Sequence, residues 1–278
     1  MSKLNIGSNI EILDSNTASN LVIKNIHNDI LWRMSSWEIL ARTNNLSRTK
    51  EDYLIKLKSS FRDIDSNNKD LLLRATHIAK ELIESTNSFE NLPFRFAYSV
   101  GGIDWGYTYT SGDIIVLRER DFLRGENDLM NLIIHEYCHV YQRFYPDMLI
   151  RLYSNWGFQK MDIQNIPKAN TATNPDGVDD WIFNYKNNDY VSILLGQNNG
   201  FFIPVAMKVI NGKCTNIGIK IDELENFSHK FFNIRQLYHP NEIMATLLPL
   251  YLNKNLIASD DSQQQVINEL EMWLNKMN

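Results

Sequence analysis

The first third of the chain carries apolar residues at intervals of three and four. Three stretches show this spacing: LVIKNIHNDILWRMSSWEIL, EDYLIKLKSSF and KDLLLRATHIAKELIES. Such spacing places the apolar side chains on one face of an α-helix. The polar segment DIDSNNKD interrupts the pattern, as a loop would. We therefore predict a helical N-terminal region over residues 1–88.

The pattern changes after residue 88, where short runs rich in aromatic and β-branched residues replace the helical spacing. FRFAYSV and YTYTSGDIIVL, separated by the glycine-containing segment GGIDWG, predict two strands joined across a turn. Four further runs predict short strands: DWIFNY, YVSILLG, FFIPVAMKVI and IGIKI. The polar residues 159–180 predict a long loop. Helices and strands in separate runs indicate the α+β class.

Three more helices are predicted from apolar spacing and from their end signals. The first contains NLIIHEYCHVYQR, with Asn127 as its N-cap, and Pro146 prevents it from continuing far beyond Tyr145. The second occupies residues 240–253 and is introduced by the segment YHPNE. The third lies in SQQQVINELEMWLNKM. The chain therefore ends in a helical part.

Composition and charge narrow the class of protein. With 278 residues, of which 44% are hydrophobic, the chain can bury the core of one large domain or of a main domain with an appendage. The formal net charge is -5, and interspersed acids and bases leave no basic stripe for a nucleic acid or a membrane surface. Residues 1–20 lack the features of a secretory signal, and no apolar run has bilayer length. We expect a cytoplasmic protein with neither a nucleic-acid nor a membrane partner.

The segment NLIIHEYCHVYQR places His135, Glu136 and His139 within an otherwise apolar helix. Two histidines four residues apart lie about 40° apart around a helix axis, so both imidazoles can reach one metal ion. Glu136 can lean toward a metal-bound water without being a ligand, which is the position of a general base. Because apolar residues surround the helix, its polar side chains must pair or bind a metal. A buried Glu–His network without a metal is the alternative.

A catalytic zinc ion requires a third protein ligand and one open coordination position. The sequence shortly after His139 lacks the glycine and histidine of an extended metzincin motif, so the third ligand must lie elsewhere. The best candidate is Glu242, because Pro240 suits the first position of a helix and places Glu242 at the third, near the positive end of the dipole. Ala245 is small and allows this helix to pack closely against the histidine helix. Glu242 can alternatively interact with the dipole alone.

Two other histidines, His239 and His229, are rival candidates for the third ligand. His239 precedes the proline and can instead point toward the oxyanion of a substrate as an electrophilic donor. Tyr238 can fill the same role. His239 and Tyr238 are therefore candidate catalytic residues besides Glu136.

HEYCH followed at a distance by NEIMA resembles the gluzincin branch of zinc metallopeptidases, in which many families carry Asn-Glu-x-x-Ala as the second motif. The resemblance implies one Zn²⁺ ion per chain, bound by His135, His139 and Glu242, with Glu136 activating a zinc-bound water. It implies a zincin-like metallopeptidase fold over residues 89–278, with a small mixed sheet, an active-site helix and a helical C-terminal part. The implied activity is hydrolysis of peptide bonds in a peptide or protein substrate.

The chain departs from this family pattern at two places. Glu242 lies 103 positions after His139, which implies an inserted subdomain at about residues 159–238. Thr246 occupies the position of the aspartate that orients a zinc-bound imidazole in thermolysin-like members. The candidate replacements for that aspartate are Asp179 and Asp180.

Two segments upstream of the histidine helix gain expected roles from the same resemblance. YTYTSGDIIVL is expected to border the cleft as an edge strand and to pair with an extended substrate backbone. GGIDWG is similar to the Gly-x-Met-Glu-Asn element that holds the free amine of the substrate in gluzincin aminopeptidases, with Asp104 as the counter-ion. It is one residue short and lacks the methionine and asparagine, so a turn is the first interpretation.

The alternative function is that of a catalytically inactive zinc-binding interaction protein with a zincin-like fold. Structural zinc sites are usually closed by four protein ligands, often thiolates. The chain has two cysteines, Cys138 and Cys214, and Cys138 can close the site only if its helix distorts. Three ligands beside a glutamate therefore favour a hydrolase.

Overall fold

The computed structural model describes residues 10–44, 49–86, 88–89, 92–167, 170–174, 176 and 181–275. In chain order its first elements are β1 (Ile10–Ile12), α1 (Ser15–Asp29), α2 (Ser36–Arg42), α3 (Lys50–Ser60), β2 (Phe61–Arg62) and α4 (Ser66–Glu84). The first apolar stretch forms two helices, because the Ser35 side chain accepts a hydrogen bond from Glu38 N and starts α2. Periodicity does not reveal β1 and β2, which contain only two or three residues each.

The first sheet combines β1 and β2 with three later strands. These are β3 (Phe94–Ser99), β4 (Tyr109–Ser111) and β5 (Ile114–Arg118). The strand order is β1-β3-β5-β4, and β2 also pairs with β3. β3 is parallel to β1 and β5 but antiparallel to β2, and β4 is antiparallel to β5, so the sheet is mixed. β4 lies at an edge, since β5 is its only partner among the described strands.

The segment YTYTSGDIIVL forms the hairpin of β4 and β5, where the sequence predicts a single strand. The chain turns at Gly112, whose φ of +61° favours glycine. A Cβ atom at this position would lie 2.5 Å from Asn25 Nδ2 on α1. Asn25 Nδ2 itself donates a hydrogen bond of 2.9 Å to Ser111 O. Glycine is therefore required both by the turn and by the close approach of α1.

The histidine helix is α5 (Glu126–Phe144), which packs against α4 and is followed by α6 (Ile150–Asn155). The predicted N-cap is wrong, because α5 begins after Gly125 and Asn127 lies within the first turn. Gly125 has a φ of +86°, a backbone conformation that glycine adopts without strain, so no capping side chain is needed to turn the chain. The helix ends before Pro146, as predicted.

The chain segment between α6 and the C-terminal helices forms a second sheet. Its strands are β6 (Phe158–Lys160), β7 (Thr171–Ala172), β8 (Trp181–Tyr185), β9 (Asn188–Gly196), β10 (Phe202–Ile210) and β11 (Lys213–Lys220). The order is β11-β10-β9-β8-β6, β7 also pairs with β9, and all these pairs are antiparallel. β7 and all but the first residue of β6 fall within the predicted long loop of residues 159–180. β7 is a strand only because its two residues pair with Leu194 and Leu195.

The chain closes with α7 (Glu225–Lys230), α8 (Pro240–Leu252) and α9 (Asp261–Asn275). α8 packs against α5. Apolar side chains of α4, α5, α8 and α9 share one buried cluster with one face of the first sheet. The architecture is therefore of the α+β class. Among the described helices, none is long and apolar enough to cross a membrane.

Candidate metal centre

α5 presents His135 and His139 on one face, one helical turn apart. Their Nε2 atoms lie 3.1 Å apart, and their ring planes are nearly perpendicular. Both residues line a cavity of about 400 Å³. The side chain of His139 is buried, whereas that of His135 is 15% exposed. The pair is thus reachable from the cavity although the helix itself is almost fully enclosed.

α8 brings Glu242 to the two imidazoles. The helix starts at Pro240, as predicted, and its third residue is Glu242. Glu242 Oε2 lies 3.6 Å from His135 Nε2 and 3.5 Å from His139 Nε2. Ala245, one turn further along, is fully buried, in keeping with the close packing of α8 against α5. The structure therefore brings together the two histidines of the first motif and the glutamate of the second.

The three donor atoms form a triangle with sides of 3.1, 3.5 and 3.6 Å. Tetrahedral zinc with ligand bonds of about 2.0–2.2 Å separates its donor atoms by roughly 3.3–3.6 Å. Glu242 Oε2 is buried and has no hydrogen-bond partner among the described residues. A buried carboxylate oxygen that faces two imidazole nitrogens needs a cation beside it, which is either a metal ion or a protonated imidazole. His135, His139 and Glu242 can therefore hold a metal ion, and their geometry fits one.

Gln142 orients the imidazole of His139. Its Oε1 atom lies 2.7 Å from His139 Nδ1, so Nδ1 donates this hydrogen bond and Nε2 is the ring atom that faces Glu242. Gln142 Nε2 in turn donates to Asn241 O at 2.9 Å and to Tyr153 Oη at 3.1 Å. These bonds tie α5 to α8 and fix the histidine tautomer that binds a metal.

The sequence did not identify Gln142, because only carboxylates were considered as the side chain that orients a zinc-bound imidazole. Thr246, at the position of the expected aspartate, donates instead to Gln236 Oε1 at 2.9 Å. The other two candidates, Asp179 and Asp180, lie outside the described residues. The available signal was local, because Gln142 lies three residues after His139 and hence on the same face of α5.

Comparison with known proteins finds no matching family model, no matching curated protein and no matching solved structure. The function must therefore be inferred from the geometry and chemistry of the site itself.

Glu136 lines the same cavity as the three candidate ligands. Its side chain is buried, and its Oε2 atom has no hydrogen-bond partner among the described residues. Burial, together with the nearby carboxylate of Asp176, raises the pKa of Glu136 well above its usual value. Glu136 thus supplies a carboxyl group close to the cluster of His135, His139 and Glu242 without belonging to it.

The charges of the cluster are strongly coupled. Burial and the neighbouring His139 lower the pKa of His135 to about 4. Burial also disfavours the charged form of His139, but the carboxylates of Asp176 and Glu242 outweigh it and raise its pKa to about 10. Burial opposes ionisation of Glu242 as well, yet the two imidazoles and Asn174 hold its pKa below the usual range. Near neutral pH, and without a metal, the cluster is an ionised Glu242 beside one charged imidazole.

The remaining candidates from the sequence occupy different places. Tyr238 lines the cavity of the cluster, and its Oη accepts a hydrogen bond of 3.1 Å from Asn174 Nδ2. His239 caps α8, because its Nδ1 accepts a hydrogen bond from Asn241 N. It lines a neighbouring cavity of about 620 Å³ instead. His229 lies far from the cluster, where its Nε2 contacts Asp260 Oδ2 at 2.6 Å.

Asp104 lies in a tight turn, as first interpreted, and its carboxylate is already engaged. Asp104 Oδ1 accepts hydrogen bonds of 3.0 Å from both Arg42 Nη1 and Tyr53 Oη. Its Oδ2 lies 3.5 Å from Arg118 Nη2. Two arginines therefore balance this carboxylate, so the geometry gives no support to Asp104 as the counter-ion of a substrate amine.

The polar segment 170–176 contributes residues that the sequence pattern did not single out. Asn174 Nδ2 donates to Glu242 Oε1 at 2.6 Å. Asp176 Oδ1 lies 3.2 Å from Arg143 Nη2 and accepts from Thr110 Oγ1 on the edge strand β4. The segment has no periodicity, and only the fold brings its side chains to the cluster.

Proposed function

We propose that this protein is a zinc-dependent metallopeptidase with a zincin-like fold. His135, His139 and Glu242 hold one zinc ion, and Glu136 is the general base. The observation that carries the proposal is the triangle of donor atoms, whose sides of 3.1, 3.5 and 3.6 Å suit tetrahedral zinc. Two imidazoles and one carboxylate are also the donor set of a well-known class of catalytic zinc sites.

When bound, zinc supplies a Lewis acid that polarises the scissile carbonyl and makes a water molecule more acidic. The described residues offer three ligands and no fourth, so a zinc ion held by them would have a coordination position available for water or substrate. Glu136 accepts a proton from the attacking water and passes it to the leaving amine. Tyr238, on the α8 side of the cavity, donates a hydrogen bond to the oxyanion that develops on the substrate.

The cavity supports a peptide as the substrate. Tyr107, Thr108 and Tyr109 line it, and the last of these begins the edge strand β4. An edge strand can add an extended peptide through backbone hydrogen bonds, whatever the side chains of that peptide. Only the Tyr109 end of β4 is proposed for this pairing, because Ser111 O at the other end already accepts from Asn25 on α1. This edge lies before α5, which corresponds to the strand-then-helix order expected for a zincin-like fold.

The alternative is a zinc-binding interaction protein without activity. Such a site is usually closed by a fourth protein ligand. Cys138, the thiol nearest in sequence, is buried and its Sγ accepts from Gln142 Nε2 at 3.4 Å. It is not part of the cluster among the described residues. The open position therefore favours the enzyme.

The test combines metal content with peptide hydrolysis. We expect one zinc per chain by elemental mass spectrometry in the wild type and in His239→Ala, the matched control at the start of α8, and none in Glu242→Ala. Glu136→Gln should retain zinc and cleave a fluorogenic peptide library about 10²–10⁴-fold more slowly than the wild type. Zinc bound without cleavage of any peptide would support the interaction protein, and absence of zinc from the wild type would reject both proposals.

A further inference from the structure

A buried ion pair on α2 requires an explanation that the proposed reaction does not provide. Arg42 Nη2 lies 2.7 Å from Glu38 Oε1, and the side chains are 6% and 0% exposed. Burying two charges costs several kcal/mol per ion unless further hydrogen bonds compensate. Asp104 Oδ1 accepts from Arg42 Nη1, and the further hydrogen bonds come from Thr173, which lies far away in the sequence.

Thr173 is the residue that this ion pair holds. Thr173 N and Thr173 Oγ1 donate to the two carboxylate oxygens of Glu38 at 2.8 and 3.1 Å. Thr173 O accepts a hydrogen bond from Arg42 Nη2. The backbone donor, the backbone acceptor and the side chain of Thr173 are thus all fixed by α2. The position of the next residue, Asn174, is fixed with them.

Asn174 uses every hydrogen-bonding group of its side chain. Its Nδ2 atom donates to Glu242 Oε1 at 2.6 Å and to Tyr238 Oη at 3.1 Å. Its Oδ1 atom accepts from Asp176 N at 3.0 Å. An amide with all its partners in place has a single orientation. Asn174 is therefore a rigid donor aimed at one metal ligand and at one candidate catalytic residue.

These bonds decide which oxygen of Glu242 faces the histidines. The terminal torsion of a glutamate is broad, so an unrestrained carboxylate rotates easily. Because Asn174 holds Oε1, the other oxygen, Oε2, points at the two Nε2 atoms. Asn174 Nδ2 also donates to the hydroxyl oxygen of Tyr238, and that hydroxyl interacts with Glu242 as well, so Asn174 helps to fix its position.

We propose that Asn174 is a positioning residue that orients the ligand Glu242 and the donor Tyr238. The ion pair of Glu38 and Arg42 keeps it in place through Thr173, so α2 supports the metal centre without touching it. This inference rests on the proposed zinc site.

The experiment compares zinc affinity in four variants of the full chain. Asn174→Leu removes both donors, Asn174→Ser is a smaller change that also cannot reach Glu242, and Thr173→Val removes only the side-chain bond to Glu38. Asn216→Leu, at an exposed position on β11, is the matched control for the change from asparagine to leucine. The zinc dissociation constant is measured by competition with a chromogenic chelator. The visible spectrum of the cobalt-substituted protein reports the coordination geometry directly.

We expect the zinc dissociation constant to rise about 10–100-fold in Asn174→Leu and Asn174→Ser, the usual effect of losing a residue that orients a ligand. Thr173→Val should give a smaller rise, and Asn216→Leu none. The cobalt spectrum should change in both Asn174 variants while far-ultraviolet circular dichroism stays that of the wild type. With a peptide substrate at saturating zinc, kcat should fall more than KM changes, because Tyr238 is no longer held.

The possible failures are distinguishable. If the wild type binds zinc and both Asn174 variants bind it with the same dissociation constant and the same cobalt spectrum, the positioning role is wrong and the zinc site stands. If the wild type itself binds no zinc, the proposed function and this inference are both wrong. Should Asn174→Leu fail to fold, Asn174→Ser and Thr173→Val decide by the same criteria.

Discussion

Replacement of Gln142 by leucine tests the assignment of this residue as the partner of His139. Leucine is close to glutamine in size but makes none of its hydrogen bonds. The change removes the Gln142 contacts of His139 Nδ1, Asn241 O and Tyr153 Oη, which lie at 2.7, 2.9 and 3.1 Å. Tyr153 Oη keeps its hydrogen bond to Met244 Sδ. The contacts with His139 and Tyr153 are buried, so water cannot replace the lost groups there, and the contact with Asn241 is partly buried.

Two quantities should change. A buried polar group left unsatisfied costs about 1–3 kcal/mol, so the free energy of unfolding of the metal-free protein should fall by at least about 2 kcal/mol. Zinc affinity should fall about 10–100-fold, which corresponds to about 1.4–2.7 kcal/mol. The second loss arises because His139 is no longer held with its Nε2 lone pair toward the metal.

A second variant separates the two effects. Gln142→Glu keeps an acceptor for His139 Nδ1 but loses the donor to Asn241 O. It should therefore lose stability, as Gln142→Leu does, while retaining zinc affinity. Thr246→Val is the control, because it removes the hydrogen bond to Gln236 at the position where the family pattern has an aspartate. Urea denaturation gives the stability, and chelator competition gives the affinity.

The reasoning would be refuted by a Gln142→Leu protein that binds zinc as tightly as the wild type. Equal losses of affinity in the leucine and glutamate variants would also contradict it, because they would indicate general damage to the helix pair. A loss of affinity in Thr246→Val would return the orienting role to the position that the family pattern assigns.

Two further predictions concern metal linkage and the β4–β5 hairpin. At a free zinc concentration of 100 times the dissociation constant, binding should stabilise the wild type by about 2.7 kcal/mol. Calorimetry should show this as a rise in Tm of roughly 5–10 °C. A chelator should reverse the rise, and Glu242→Ala should show no rise. Gly112→Ala should lower the free energy of unfolding by more than Gly212→Ala does, because both glycines have positive φ but only Gly112 also faces Asn25. Equal losses in urea denaturation would show that the contact with α1 contributes nothing to stability.

The parts of the fold that the sequence predicts are those with local causes. The long helices have apolar spacing over several turns, and α8 also has Pro240 at its first position. β7 contains two residues and exists only through pairing with β9. The hairpin at Gly112 lies within a run that is predicted as a single strand, although Ser111-Gly112 is itself a turn signal. Where the cause is non-local, the pattern of one segment cannot show it.

The same distinction applies to the metal centre. His135 and His139 share a helix, so their spacing alone places their imidazoles together. Glu242 follows from a helix start and a second motif, but its distance to the histidines depends on how α8 packs on α5. Gln142 and Asn174 have no motif, since a glutamine on a helix and an asparagine in a loop are ordinary until their partners are known.

The distribution of buried polar groups gives an independent reason to regard this cavity as the functional site. Buried charges and amides are costly, and chains keep them where function requires them. The buried residues Arg42, Asp104, Glu136, His139 and Glu242 all line one cavity of about 400 Å³. A core built for stability alone would replace such groups by apolar ones, often at no cost. Their convergence from α2, α5, α8 and the turn before β4 on one open volume therefore supports the proposal that this cavity is the functional site.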